Sequence, residues 1–102
     1  MNMFRNRQKL TLEAAEGIAA QGLAFLAEDP ERLGRFLAVT GLSPDQIRAQ
    51  VDTHQFLAAV LEYLVGDESL LLVFAANAAI GPEIVSPALF LLQQASGESA
   101  NT

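Results

Sequence analysis

The chain has 102 residues, no cysteine, a single histidine and a formal net charge of −6 at pH 7. This length fits one domain, and a hydrophobic fraction of 51% is enough to build a core. Without cysteine there are no disulfides and no thiolate zinc sites, and one histidine makes no cluster, so we expect no metal and no cofactor. The acidic balance disfavours nucleic acid as a partner, because phosphates would be repelled.

The first helix is predicted to begin after Thr11, a capping residue, and to run to about Glu28. Its apolar residues recur at steps of three and four, which predicts one buried face. Gly17 and Gly22 each cost about 1 kcal/mol inside a helix. We therefore expect another helix to approach closely at both glycines.

Two further helix starts follow. Asp29 followed by Pro30 predicts a second helix, because the carboxylate accepts from free amides and proline pre-sets the helical φ; Gly41 is predicted to end it. Ser43 and Gln46 have the spacing of a capping box and predict a short third helix.

Asp52 with Gln55 repeats that spacing and predicts the cap of a fourth helix, which ends at Gly66. Asp67 is predicted to cap a fifth helix that reaches about Ala79. Turn signals at residues 81–82 and 86–87 precede a last helix, which is predicted to extend to residue 94.

The chain is predicted to divide into a flexible basic segment (residues 1–10), one helical domain (residues 11–94) and a disordered tail (residues 95–102). Glu13 and Glu16 interrupt the apolar region that a secretory signal would need, so we expect a cytoplasmic protein. The most apolar run, residues 70–80, is too short for the roughly twenty residues of a membrane span.

The sequence contains an approximate internal repeat with an offset of 38 residues. Residues 18–47 laid over residues 56–85 give eight identities, among them Asp29 with Asp67 and Pro44 with Pro82. The aspartate and proline residues that mark helix starts match at this offset, as the apolar residues do. We therefore predict an all-α bundle of five or six helices built from two related helical hairpins.

The two copies differ in one respect that bears on function. The second helix carries Arg32 and Arg35 where the fifth carries Leu70 and Val73. The fifth helix is thus apolar nearly all round, and we predict that it is central and the second peripheral. These four residues, together with Phe90, are the predicted interaction surface.

The two hairpins are predicted to close on each other face to face, because two repeats cannot bury a continuous core by stacking. Phe36 and Phe74, which occupy equivalent positions, are expected near a pseudo-two-fold axis of this bundle.

A helix-turn-helix DNA-binding motif is one alternative, over residues 33–51, which begin with Leu33 and end with Val51. Two observations weaken it. Leu37 stands where such motifs need a small residue, and Arg48 is the only cation in the would-be recognition helix.

Other chemical interpretations are weaker. His54 and Asp52 could suggest acid–base chemistry, but two residues at that spacing point in different directions and no nucleophile accompanies them. Acidic residues at 28–31 and 67–68 could bind a cation, although they are better explained as helix caps. A small apolar-ligand binder or enzyme with an apolar cavity is the second alternative.

Several segments that combine helix-start residues with apolar residues together resemble a group of small all-helical bacterial proteins. These proteins are found mainly in alphaproteobacteria and form a family of unknown function. The resemblance covers about residues 10–92 and implies a helical bacterial protein without assigning any site. It is carried by residues 29–33, 36–38, 41–44, 56–57, 60–61, 67–71 and 74–75.

An apolar helical fold without a reactive polar cluster predicts a non-enzymatic protein-interaction or scaffolding module. We expect it to bind a protein partner or a second copy of itself, and we expect neither nucleic acid nor membrane as its target.

Overall fold

The computed structural model describes residues 10–97. Over this range the chain forms six α-helices and one 3₁₀ turn, without a β-strand, which confirms the all-α fold class. The predicted flexible segment and tail lie outside the described residues at positions 1–9 and 98–102. The helices are α1 (Leu12–Ala27), α2 (Pro30–Thr40), α3 (Pro44–Gln50), α4 (His54–Val65), α5 (Glu68–Ala78) and α6 (Val85–Ala95), with the 3₁₀ turn at Pro82–Ile84.

The predicted caps of the first three helices are confirmed. The Thr11 hydroxyl accepts a 3.0 Å hydrogen bond from a backbone amide of α1, and the Asp29 carboxylate accepts one of 2.9 Å from α2. Ser43 and Gln46 make both bonds of the capping box, at 3.2 and 2.8 Å. Each cap satisfies amides that the first turn of a helix leaves free.

The predicted cap of α4 is wrong by one residue. Thr53, and not Asp52, accepts a 3.1 Å hydrogen bond from the amide of Phe56. The reason is the turn after α3, where the Thr53 amide bonds to the carbonyl of Gln50 at 2.8 Å and Thr53 takes the extended conformation of a cap.

The last helix also begins differently from the prediction. The predicted turn at Ser86 and Pro87 does not occur, because both residues lie in the first turn of α6, which begins at Val85. Proline is tolerated there, since its missing amide would have no partner inside the helix.

Two helices end in the left-handed conformation, 38 residues apart in sequence. Gly41 ends α2 with φ 75°, and Ala79 ends α5 with φ 59°. The second is unusual, because a Cβ atom is disfavoured in this conformation by roughly 1–2 kcal/mol. The two positions, which correspond in the predicted repeat, therefore share the left-handed conformation although only one of them is a glycine.

The core is built by α1, α4 and α6, which make the most extensive helix–helix contacts of the described chain. No polar side chain is buried among residues 10–97. Outside these three helices, α2 contributes Phe36 to the core and α5 contributes Phe74 and Ala75. The most completely buried large side chains are Phe36, Phe56, Phe74, Leu26, Leu61, Leu64, Leu92, Val60 and Val85.

The prediction that α5 is central is wrong. Leu72 and Val73 on α5 are 49% and 51% exposed, whereas Val85 and Leu92 on α6 are fully buried. The apolar composition of α5 does not specify which of its sides is covered. Instead, α6 packs against both α1 and α4, which leaves α2 and α5 on the periphery.

The close approach predicted at Gly22 is confirmed. A Cβ atom on Gly22 would lie 3.0 Å from Cδ1 of Leu64 and 3.2 Å from Cγ1 of Val60. Near the start of the same pair of helices, Nε2 of His54 lies 2.6 Å from Oε2 of Glu16. From the Glu16–His54 contact to the contact at Gly22, residue numbers increase along both helices, so α1 and α4 run parallel.

The corresponding prediction for Gly17 is wrong. Gly17 is exposed, and a Cβ atom there would meet nothing within 4 Å. Gly17 and Gly22 are five residues apart, and at 3.6 residues per turn this spacing places them about 140° apart around α1, one against α4 and the other toward solvent.

We expect Gly17→Ala to raise the free energy of unfolding by about 0.5–1 kcal/mol, because alanine restricts the unfolded chain and meets no neighbour. Gly22→Leu should lower it by about 1–3 kcal/mol through overpacking against α4. Urea denaturation of both variants measures the two changes, and equal effects of the same sign would contradict the different roles assigned to the two glycines.

Aromatic rings join the two halves of the molecule reciprocally. Phe36 of α2 contacts Tyr63 of α4 with ring centroids 5.2 Å apart, and Phe74 of α5 contacts Phe25 of α1 at 5.5 Å. Positions 25 and 63 are equivalent in the repeat, as are 36 and 74. Such an exchange of contacts is what a two-fold relation produces. The internal repeat and its axis stay predictions that this pattern favours.

We expect Phe36→Ala and Phe74→Ala each to lower the free energy of unfolding by about 3–5 kcal/mol, because both rings are buried at a junction between the halves. Thermal and urea unfolding provide the measurement. A loss below about 1 kcal/mol at one position only would argue against equivalent roles for the two rings.

Candidate interaction surface

Arg32, the first residue of the predicted surface, is engaged within the fold. Its guanidinium lies 4.0 Å from the centroid of the Phe25 ring, and Nη1 donates a 3.0 Å hydrogen bond to the Phe25 carbonyl. Nε lies 3.8 Å from Oδ2 of Asp29. The side chain, 27% exposed, thus ties the last turn of α1 to the first turn of α2.

Arg35 and Leu70 occupy different environments. Arg35 is exposed on α2, one turn beyond Arg32. Leu70 is partly buried and packs against the core, so it helps to hold α5 in place. Of the two pairs of positions that make up the predicted surface on α2 and α5, 32/70 is partly buried and 35/73 is exposed to solvent.

Val73 lies in a continuous exposed face of α5, which we call the α5 stripe and define as Leu72, Val73, Ala76 and Asn77. These four residues line one shallow, open depression. Their spacing places them on one side of the helix, opposite Phe74 and Ala75 in the core. The predicted surface contained Val73 and not the other three, although Ala76 and Asn77 follow Val73 at the three- and four-residue spacing of one helix face.

Phe90 is 56% exposed on α6, whose Ala88 and Leu92 are buried. The five predicted surface residues are therefore spread over α2, α5 and α6. Among residues 10–97 these three helices make no extensive contact with one another. Val73 and Phe90 have the exposure that an interaction surface needs, but they lie on separate helices.

The described surface is strongly acidic. Of the chain's 12 acidic residues only Glu98 lies outside the described range, whereas three of its six basic residues do. The α5 stripe carries no charge, with Asp67 and Glu68 before it and Glu83 after it. The stripe is thus uncharged and mostly apolar, and acidic residues flank it in the sequence.

The side chains that suggested DNA binding or acid–base chemistry form pairs with other side chains of the domain. Arg48, the cation of α3, forms an ion pair with Asp45 on the same helix. His54 is joined to Glu16 of α1 and not to its neighbour Asp52. Within residues 10–97 no group of three or more metal-binding side chains is assembled.

Surface depressions of about 220–520 Å³ are present, and each is open to solvent. The largest of these volumes belongs to the depression over the α5 stripe. Its shallow shape suits a protein surface better than a small molecule, which binds in a cleft that encloses most of it.

The family described as "Protein of unknown function (DUF3572)" matches residues 12–95. The chain belongs to this family. The match begins with the first residue of α1 and ends with the last residue of α6, so the family unit is the six-helix domain described above. This confirms the resemblance to an uncharacterised family. No curated protein and no solved structure matches the chain.

None of the helices described here is by itself both long and apolar enough to cross a membrane. By length and composition, α5 and residues 82–95 reach that threshold only as a pair, and they are bent by 108° relative to each other.

We expect Arg32→Ala to lower the free energy of unfolding by about 1–2 kcal/mol, because the Phe25 carbonyl and ring both lose their cation. Arg35→Ala, on the same helix, should change it by less than about 0.5 kcal/mol. Chemical denaturation of the two variants tests this. An unchanged free energy of unfolding in Arg32→Ala would show that Arg32 does not stabilise the fold and is available for an interaction.

Proposed function

We propose that the protein is a non-enzymatic interaction module that binds a protein partner, or a second copy of itself, through the α5 stripe. The observation that carries the proposal is the half exposure of Leu72 and Val73. They are adjacent large aliphatic side chains on a helix whose other side is fixed in the core by Phe74.

The energetic argument is the cost of leaving this stripe in water. Covering apolar surface contributes roughly 25 cal/mol per Å², and contiguous exposed apolar surface marks interaction sites. Ala76 adds a small residue at which a second helix can approach closely. Asn77 supplies a polar group at the edge, as interfaces commonly have.

The first copy of the repeat provides an internal comparison. Where α5 has Leu72, Val73 and Ala76, α2 has Gly34, Arg35 and Ala38. The peripheral helix α2 therefore folds with glycine and arginine at the positions of Leu72 and Val73, although it exposes Val39 at the position of Asn77. Packing does not require Leu72 and Val73, which supports a role for them outside the fold.

The proposal assigns the protein no catalysis. The helix-turn-helix alternative is disfavoured by the composition of α3, in which Arg48 is the one cation and the other exposed side chains are neutral or acidic.

The test compares Val73→Arg with Val39→Arg, a matched control at an apolar side chain of α2 that is 72% exposed. We expect Val73→Arg to reduce binding at least about tenfold, because a charge would be buried in the interface. Affinity capture from the native cell extract measures a heterologous partner, and light scattering of the purified protein measures a dimer.

A monomeric wild-type protein that captures no partner would contradict the proposal. So would a Val73→Arg variant that binds as well as the wild type. Loss of binding in Val39→Arg alone would move the interface from α5 to α2.

A further inference from the structure

The two copies of the repeat are covered to different extents by their third helices. Pro44 begins α3 and the equivalent Pro82 begins the 3₁₀ turn that leads into α6. The first copy continues for only seven residues, to Gln50, whereas the second is helical through Ala95. The first copy lacks about two turns, or roughly 10 Å of helix.

The burial of equivalent residues shows the effect of this difference. Ala58 and Leu61, on the helix against which α6 packs most extensively, are 3% and 0% exposed. Their counterparts 38 positions earlier, Ala20 and Leu23, are exposed and partly exposed. The apolar surface around these positions is therefore buried on α4 and open on α1.

This open surface is a groove of about 330 Å³ beside α1 and the start of α4. It adjoins a second depression, of about 220 Å³, with which it shares Leu23 and which reaches Ile47 of α3. The groove is lined by Glu16, Ala20, Leu23, Val51, Asp52 and Leu57.

The groove has an apolar floor and an acidic rim. Ala20, Leu23 and Leu57 provide small and aliphatic side chains, and Glu16 and Asp52 provide carboxylates. Of the basic groups, His54 contacts Glu16, and Arg48, which is paired with Asp45, lines the adjoining depression. Charge complementarity therefore selects a cationic occupant.

We propose that this groove binds an amphipathic helix of a partner protein, with small aliphatic residues on one side and lysine or arginine beside them. The internal template is α6, which shows that a helix fills the equivalent position in the second copy. The inference goes beyond the proposed function, because the groove shares no residue with the α5 stripe, and it rests on the correspondence of residues 38 apart.

The probe is a stapled peptide with the sequence of residues 82–95, carrying Phe90→Gln, Glu83→Lys and Gln94→Lys. All three positions are exposed in the protein. The matched control peptide has the same apolar residues and carries glutamate at positions 83 and 94. Titration into the full-length isotope-labelled chain, followed by NMR, reports both the affinity and the residues that are contacted.

We expect the lysine peptide to bind at least about tenfold more tightly than the glutamate peptide at low salt, with a preference that shrinks as salt is added. Resonances of Ala20, Leu23 and Leu57 should shift. Ala20→Arg should weaken binding at least about tenfold, and Ala24→Arg, at an exposed position of α1 outside the groove, should leave it within about twofold.

Equal affinity for both peptides would overturn the proposal, as would equal loss in Ala20→Arg and Ala24→Arg. Shifts confined to Ala58 and Leu61 would show that the peptide displaces α6 and that the groove is not its site. Groove resonances that shift when Arg5, Arg7 and Lys9 are replaced by glutamate, without peptide, would identify the chain's own basic segment as the occupant. None of these outcomes bears on the Val73 test.

Discussion

The direct packing of α1 against α4 is the contact on which the rest of the structure depends. Because Gly22 has no side chain, Val60 and Leu64 reach the backbone of α1. Two parallel helices at this short separation form a continuous apolar surface, and α6 packs extensively on both of them. Each peripheral helix then contributes one buried aromatic ring to the core, Phe36 from α2 and Phe74 from α5.

Most limits of the helices could be predicted from sequence because helix caps are local; the exceptions are the cap of α4 and the start of α6. Ser43 and Gln46 make the expected bonds three residues apart, and no distant residue affects them. The arrangement of the helices could not be predicted in the same way. An apolar residue such as Val73 is compatible with burial in the core and with exposure for binding, and composition alone does not distinguish the two.

The candidate surface was predictable only in part for a related reason. Val73 and Phe90 are exposed as an interaction surface requires. Arg32 is not free, because its guanidinium sits over Phe25, a contact made by the turn between α1 and α2 that charge patterning does not reveal. The groove beside α1 could not be recognised from the sequence, because it is lined by residues from α1, from the turn after α3 and from α4, which only the fold brings together.

The central place of α6 has a consequence for how the protein is made. Translation produces α1 and α4 well before α6, and domains generally fold as units from the N-terminal side. Neither hairpin has a closed core by itself, since Val85, Ala88 and Leu92 complete it from the far end of the domain. Until residues 85–95 have left the ribosome, the apolar surface that these side chains complete has no cover, so we expect the domain to fold as one cooperative unit.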